Sequence, residues 1–206
     1  LAGAKSVVEL NPANIDPAPV RDRLSIEQDP SLDALVESIR TAGQHVPALV
    51  RPHPGLPGRF QTAYGHRRIE AARRLGRPVL AIISHLSDQE LLTAQGKENA
   101  ERRDLSFIER AVFARRLEDA KFDRALISTA LATDKADLSR AIAVARALPE
   151  AIVQAIGPAP KAGRARWMLL AERVQGARER KRLDALLGTT EFLGQQTDQR
   201  DRKSVV

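Results

Sequence analysis

Cysteine is missing from the 206-residue chain, which rules out disulfides and thiolate metal ligands and fits a reducing compartment. Aromatic residues make up only 3% of it, with one Trp and one Tyr, so a core must rest on the Leu, Ile, Val and Ala within a hydrophobic share of 43%. No stretch approaches twenty consecutive apolar residues, which excludes a conventional membrane-spanning helix. The opening Leu1-Ala2-Gly3 has no basic segment followed by an apolar run, so nothing resembles a secretory signal. An initiating Met is also missing and the chain stops abruptly at Ser204-Val205-Val206, so the expectation is part of a longer polypeptide.

Acidic residues fall short in the second half. The net charge is +7, yet residues 1–100 carry 12 basic against 11 acidic side chains, whereas residues 101–206 carry 21 against 15. Between 161 and 182 stand Lys161, Arg164, Arg166, Arg173, Arg178, Arg180, Lys181 and Arg182, with only Glu172 and Glu179 opposing them. Such a surface draws a polyanion toward the C-terminal half.

The first half reads as a small α/β unit. Pro12, Pro17 and Pro19 punctuate an extended stretch. Leu32, Leu35, Val36 and Ile39 then share one helical face, which Gly43 ends. Residues 48–51 and 59–64 read as strands joined by the turn-rich His53–Gly58 loop. Gly65 leads into a helix with Ile69, Ala72 and Leu75 inward, closed by Gly76, and Val79–Ile83 is a further strand. Ser87 with Glu90 three residues on has capping-box chemistry.

Two clusters there carry chemistry. In Gly65-His66-Arg67-Arg68, glycine permits close backbone approach, the first helical turn offers N–H groups to an anion, and two guanidiniums suit phosphate oxygens. It is neither a Walker loop nor a dinucleotide fingerprint. In Glu98-Asn99-Ala100-Glu101-Arg102-Arg103-Asp104, Glu98 and Asn99 offer oxygens to a hard cation such as Mg2+, and Arg102 or Arg103 offers a phosphate contact. Taken singly, both clusters also read as solvated helix surface.

From Ser106, with Glu109 in capping-box position, the chain is helical. Arg124–Leu131 and Asp137–Leu148 are two short helices joined by a polar turn and following a longer one, which gives helix-turn-helix dimensions at about 124–148. A recognition helix offers its N-terminal residues to base edges and its neighbours to phosphates. That assigns Ser139 and Arg140 to bases, Lys135 to phosphate, and Asp137 to the N-cap. Trp167, Leu170, Val174, Leu183 and Leu186 are expected core residues of a segment running from 164 to 187. The stretch from Thr189 is expected to be a polar, mobile tail, with Phe192-Leu193 packing locally.

In order and content these motifs resemble the ParB family of DNA-partition proteins, particularly its RepB-like plasmid branch, over roughly residues 8–175. Gly43-Gln44-His45-Val46-Pro47 with Leu49-Val50 is similar to the family's first box, Gly65–Ala72 to its arginine box, and Glu98–Leu105 to its third. The stretch Asp104–Ala111 also looks RepB-like. The resemblance implies a CTP-dependent clamp that loads at a palindromic centromere-like site on double-stranded DNA and works with a Walker-type partition ATPase. Carried over, Gly65, His66, Arg67 and Arg68 would lie at the phosphates, Glu98, Asn99 and Arg102 at the triphosphate and its Mg2+, and Gly43, Gln44 and Val46 near the base. Lys135, Asp137, Ser139 and Arg140 would face DNA. His66 stands where the common arginine box has Glu, and no glutamine occurs in Asp16–Arg21 where hydrolysing members have one. CTP binding is therefore implied more directly than slow CTP hydrolysis, for which Glu98 is the candidate catalytic carboxylate.

The expected fold class is α+β: a small mixed α/β N-terminal domain (1–103), an all-helical helix-turn-helix domain (104–188), and the tail (189–206). A C-terminal dimerisation domain is expected to be absent, with homodimerisation belonging to the full-length protein. A cytoplasmic, nucleoid- or plasmid-associated place is expected. An ordinary helix-turn-helix transcriptional regulator and a nucleotide-dependent enzyme of ParB-like fold, such as a phosphotransferase or nuclease, are the competing readings.

Overall fold

A computed structural model describes residues 6–20, 24, 31–102, 105–187, 189, 192, 194–195 and 197–205. The chain divides into two compact units, one holding residues 1–21 and 25–98, the other 22–24 and 99–206.

In the N-terminal unit the strands β1 (Val7–Leu10), β2 (Ile15–Asp16), β3 (Ala48–Pro52), β4 (Phe60–Tyr64) and β5 (Val79–Ile83) form one mixed sheet in the order β1-β5-β3-β4-β2. β1 runs antiparallel to β5 and β3 antiparallel to β4, whereas the β3–β5 and β2–β4 pairs are parallel. The helices are α1 (Ser31–Ala42), α2 (His66–Leu75) and α3 (Asp88–Arg102), whose last residues enter the second unit.

Side chains alternate across a strand, so β3 feeds two cores. Ala48 and Val50 join Ile15, Ile69, Ala72, Val79 and Ala81 beneath α2. Leu49 joins Ala18, Ala63 and Leu91 beneath α3. Buried Arg51 shares the second face: its guanidinium donates to Gln61 Oε1 and to the Leu86 carbonyl, and it pairs with Asp88 at the start of α3. Helix α2 is bounded by two left-handed glycines, Gly65 (φ 92°) and Gly76 (φ 62°).

The second unit is all-helical among its described residues: α4 (Phe107–Asp119), α5 (Arg124–Ala130), α6 (Lys135–Ala147), α7 (Glu150–Ile156), α8 (Arg164–Arg173), α9 (Ala177–Leu187) and α10 (Thr197–Val205). The expected capping box at Ser106 and Glu109 is present and buried. Ile108, Val112, Ala145, Ile152, Ile156 and Leu170 build one core around the fully buried Trp167. With the mixed α/β unit before it, this is the expected fold class.

Residues 197–205 lie within the stretch expected to be a polar, mobile tail. They form α10, which packs on α7 and α8. Thr197 Oγ1 accepts from Ala159 N (3.2 Å), Asp198 Oδ1 accepts from Lys161 N (2.8 Å), and Arg200 donates to the Ala155 carbonyl (3.0 Å). Hydrogen bonds between polar side chains and backbone fasten this segment, and hydropathy does not register them. Phe192 is fully buried, in line with the expected local packing.

Candidate phosphate-binding and nucleic-acid surfaces

Strand β4 delivers the chain to Gly65, whose φ of 92° turns it at once into α2. A Cβ at that position would stand 2.9 Å from Ala48 Cβ and 3.0 Å from Ala48 Cα. Only glycine lets the two backbones approach so closely. The turn sets Ala48, at the start of β3, against the N-terminus of α2, whose first turn holds the half-buried His66, Arg67 and Arg68 and whose glycine N-cap makes no side-chain cap hydrogen bond. Helix starts of this kind are electropositive and offer N–H groups to anions. Further along α2, Glu70 pairs with Arg73 and Arg74, and Asp33 of α1 also holds Arg74.

The other candidates have distinct placements. Gly43 ends α1 in the left-handed region at φ 78°. The Gln44 amide is engaged by backbone: Nε2 donates to the Val46 (2.9 Å) and Leu80 (2.8 Å) carbonyls, and Oε1 accepts from Leu80 N (2.9 Å). It thereby extends the β3–β5 ladder beyond Ala48, and it fixes a loop whose Val46 is 54% exposed. Glu98 is half-buried on α3 and is the last residue of the N-terminal unit. The side chains of Asn99 and Arg102, and residues Arg103 and Asp104, lie outside the described residues. No group of three His, Cys, Asp or Glu suited to a metal occurs among the described residues. A lone Glu98 carboxylate fits Mg2+ only where nucleotide phosphates and water supply the remaining oxygens, which is usual for that ion. In the stretch without the expected glutamine, hydrogen bonding from Arg59 holds the Asp16 carboxyl below its ordinary range.

In the helical unit, α5 and α6 pack with α4 in a helix-turn-helix arrangement. Asp123 caps α5, and Ile127 and Ala130 point inward. The N-cap of α6 is Asp134, which accepts from Asp137 N at 2.7 Å; the expected cap, Asp137, lies one turn inside the helix. Both are aspartates at a helix start, and the left-handed Ala132 (φ 48°) ends the turn early enough for Asp134 to do the capping. Lys135 is thus the first helical residue, and Lys135, Ser139 and Arg140 are exposed. Ser139 Oγ donates to the Lys135 carbonyl.

Asp137 gathers two arginines on one oxygen. Its Oδ1 accepts from Arg140 Nε (3.2 Å) and Nη2 (2.7 Å) and from Arg164 Nη1 of α8 (2.6 Å). Arg140 first, and Arg164 with it, hold this carboxyl below the usual range. A cleft of about 320 Å³ opens beside the trio, floored by Phe107, Leu131 and Leu138 and edged by Arg110 and Arg164. Arg164, Glu118 and Asp134 were not singled out for the site by sequence reasoning; only their density near the motif hinted at a role.

Two effects on stability arise from this geometry. Ala132→Gly should raise stability by about 0.5–1 kcal/mol in urea titration, because a left-handed backbone strains alanine whereas glycine adopts it freely. A decrease would show that the turn carries no strain. The Arg146 and Arg124 guanidiniums hold the Glu118 carboxyl below its ordinary value of 4.5. A depressed folded value gives stabilisation that is complete above about pH 4.5 and is lost as pH falls through that lower value. The melting-temperature gap between the native chain and Glu118→Gln should therefore close as pH falls below the ordinary carboxylate range. It should stay small throughout, since both arginines are exposed to solvent; a gap that widens on acidification contradicts the pairing.

Comparison with known proteins defines the class. Residues 2–100 match the model of the ParB N-terminal domain, and residues 101–193 that of the RepB plasmid partitioning protein. The chain belongs to the ParB/RepB family of DNA-partition proteins. It is 46% identical over 175 residues to a putative replication protein B of Rhizobium rhizogenes, covering 85% of this chain and 54% of that one. It is 41% identical over 196 residues to a putative replication protein B of Sinorhizobium fredii, covering 95% and 60%. The chain thus spans little more than half the length of these relatives. Its fold is similar to that of a solved Pnob8-like ParB-N domain, with a TM-score of 0.52 at 13% identity over 98% of each chain.

Proposed function

We propose that this chain is the nucleotide- and DNA-binding part of a centromere-binding plasmid partition protein, a clamp whose state on DNA is set by CTP. The carrying observation is the strand–Gly65–helix junction, where a close backbone approach to Ala48 fixes the start of α2 and the two arginines of its first turn. Triphosphate oxygens would be held by Gly65, His66, Arg67, Arg68 and Arg102, and Glu98 and Asn99 would hold Mg2+. Gly43 and Val46 would line the base pocket, and Gln44 would keep that wall in place through its backbone hydrogen bonds. Bound Mg2+ would offset the repulsion between carboxylate and phosphates. In the second unit Arg140 and Ser139 would read base edges, Lys135 would contact phosphate, and Asp137 would orient Arg140. A homodimer of the full-length protein and a Walker-type ATPase partner complete the reading. Slow hydrolysis would depend on Glu98.

The test is titration with CTP, ATP, GTP and UTP in the presence of Mg2+, beside the Arg67→Ala variant. Selective CTP binding that Arg67→Ala abolishes is expected, and equal weak binding of all four nucleotides rejects the switch. On DNA, Arg140→Ala should relax preference among palindromic sites by about 1–3 kcal/mol per lost base contact. Lys135→Ala should instead weaken all sequences alike. Unchanged preference and affinity in both variants would displace the reading surface from α6.

A further inference from the structure

The basic run between 161 and 182 is only partly used by the helix-turn-helix, and its densest portion lies on α9. Leu183 of this helix is buried and Leu186 and Leu187 are half-buried against the core around Trp167. Arg178, Lys181, Arg182 and Ala185 are exposed, and their spacing of three, four and seven residues places them on one outward stripe. Arg180 is exposed too, but at two residues from Arg178 and Arg182 it lies off that stripe.

Six arginines around α4 and α6 are matched by carboxylates. Arg115 and Arg116 meet Glu150, Arg124 and Arg146 meet Glu118, and Arg140 and Arg164 meet Asp137. Among the described residues, Arg178, Arg180, Lys181 and Arg182 have no such ion pair. Like charges three and four residues apart on a helix repel and reduce its stability. A ladder of this kind, anchored by its apolar side to a rigid core, fits an evenly spaced polyanion.

We infer that the outer face of α9 is a second DNA contact, binding the phosphate backbone without regard to sequence and separately from the reading surface on α6. The occupant is duplex DNA: the family partitions DNA, and the stripe has three cations at helical spacing and, beside the small Ala185, no described aromatic or large apolar side chain that could stack on a base or enter a bilayer. This inference rests on the DNA-binding reading but not on any sequence preference.

The experiment measures binding of the full chain to a random-sequence duplex over a range of salt. The comparison is the triple variant Arg178→Gln, Lys181→Gln, Arg182→Gln, since glutamine keeps helix propensity while removing charge. Three lost phosphate contacts should flatten the slope of log K against log salt by about 2.7, at about 0.9 per phosphate. Preference for a palindromic site over random sequence should stay within twofold, and the melting temperature should be unchanged or higher. A control variant, Arg40→Gln, Arg77→Gln, Lys121→Gln, removes the same net charge elsewhere and should leave the slope within one unit.

An unchanged slope in the α9 variant overturns the inference. An equal flattening in the control overturns it as well, by assigning the effect to net charge. Loss of binding to vesicles of anionic phospholipid with DNA binding intact would assign the face to a membrane surface. If Arg140→Ala leaves site preference untouched while the α9 variant flattens the slope, the reading of α6 fails and the α9 contact stands.

Discussion

Gly65→Ala is expected to destabilise the N-terminal unit by roughly 2–4 kcal/mol. At φ 92° an L side chain is strained, which costs about 1–2 kcal/mol. The added Cβ would then meet Ala48 Cβ at 2.9 Å and Ala48 Cα at 3.0 Å. The second of these atoms belongs to backbone, which cannot rotate away, so β3 or the start of α2 must move at about 1–3 kcal/mol more. A gain of under about 1 kcal/mol from the stiffer unfolded chain offsets little of this. Hydrogen exchange localises the effect: amides of β3, β4 and β5 should lose protection, while those of α4 to α8 keep theirs. Adding Ala48→Gly should recover only part of the loss, since it relieves the clash between side chains but leaves the positive φ and the crowding against the backbone of residue 48. Full protection in the single variant would show that the turn tolerates a side chain. Nucleotide binding should fall with the fold of this junction, because the same atoms position Arg67 and Arg68.

Trp167→Ala should cost about 3–5 kcal/mol, the usual range for emptying a large aromatic site in a core. This indole is fully buried, and it packs with residues drawn from α4, α6, α7 and α9, so its loss opens a cavity where most of the helical unit meets. Trp167→Phe should cost far less, about 1 kcal/mol. The indole Nε1 is buried without a hydrogen-bond partner among the described residues, and a buried N–H in that condition carries a desolvation penalty of about 1–3 kcal/mol. Phenylalanine removes this group while filling most of the volume, so the two effects largely cancel. Since Trp167 is the chain's one tryptophan, far-ultraviolet circular dichroism in urea is the suitable probe. Equal losses in both variants would mean that the indole nitrogen is satisfied, for instance by an internal water.

Where structure is dictated locally, the sequence was legible. The glycines bounding α2 and the two capping boxes, Ser87 with Glu90 and Ser106 with Glu109, are signals carried within four residues or at a single conformational demand. The apolar faces of α1, α5 and α8 follow the helical period. β1 went unread because Val7–Leu10 becomes a strand only by pairing with Val79–Ile82, some seventy residues later, with no turn between them to announce it. The cap at Asp134 was misplaced by one turn because Asp137 offers the same chemistry, and the choice depends on the left-handed Ala132. In the site, types of side chain were readable but engagements were not. Gln44 is a plausible ligand residue by composition, yet its amide is taken up by Leu80, thirty-six residues away. The link from Asp137 to Arg164 spans twenty-seven residues and leaves no periodic trace.

On the proposed reading of α6, the shared oxygen of Asp137 would bear on how fast a protein of this kind leaves the wrong stretch of DNA. Arg140 and Arg164 lean on one carboxylate, so a passing phosphate must compete with an anion already in place, and random sequence gains little hold there. A base edge that offers two acceptors in the plane of a guanidinium can displace that internal partner on geometry. Brief stops at most positions and a long stay at a few would then arise from a single acidic side chain among the basic ones.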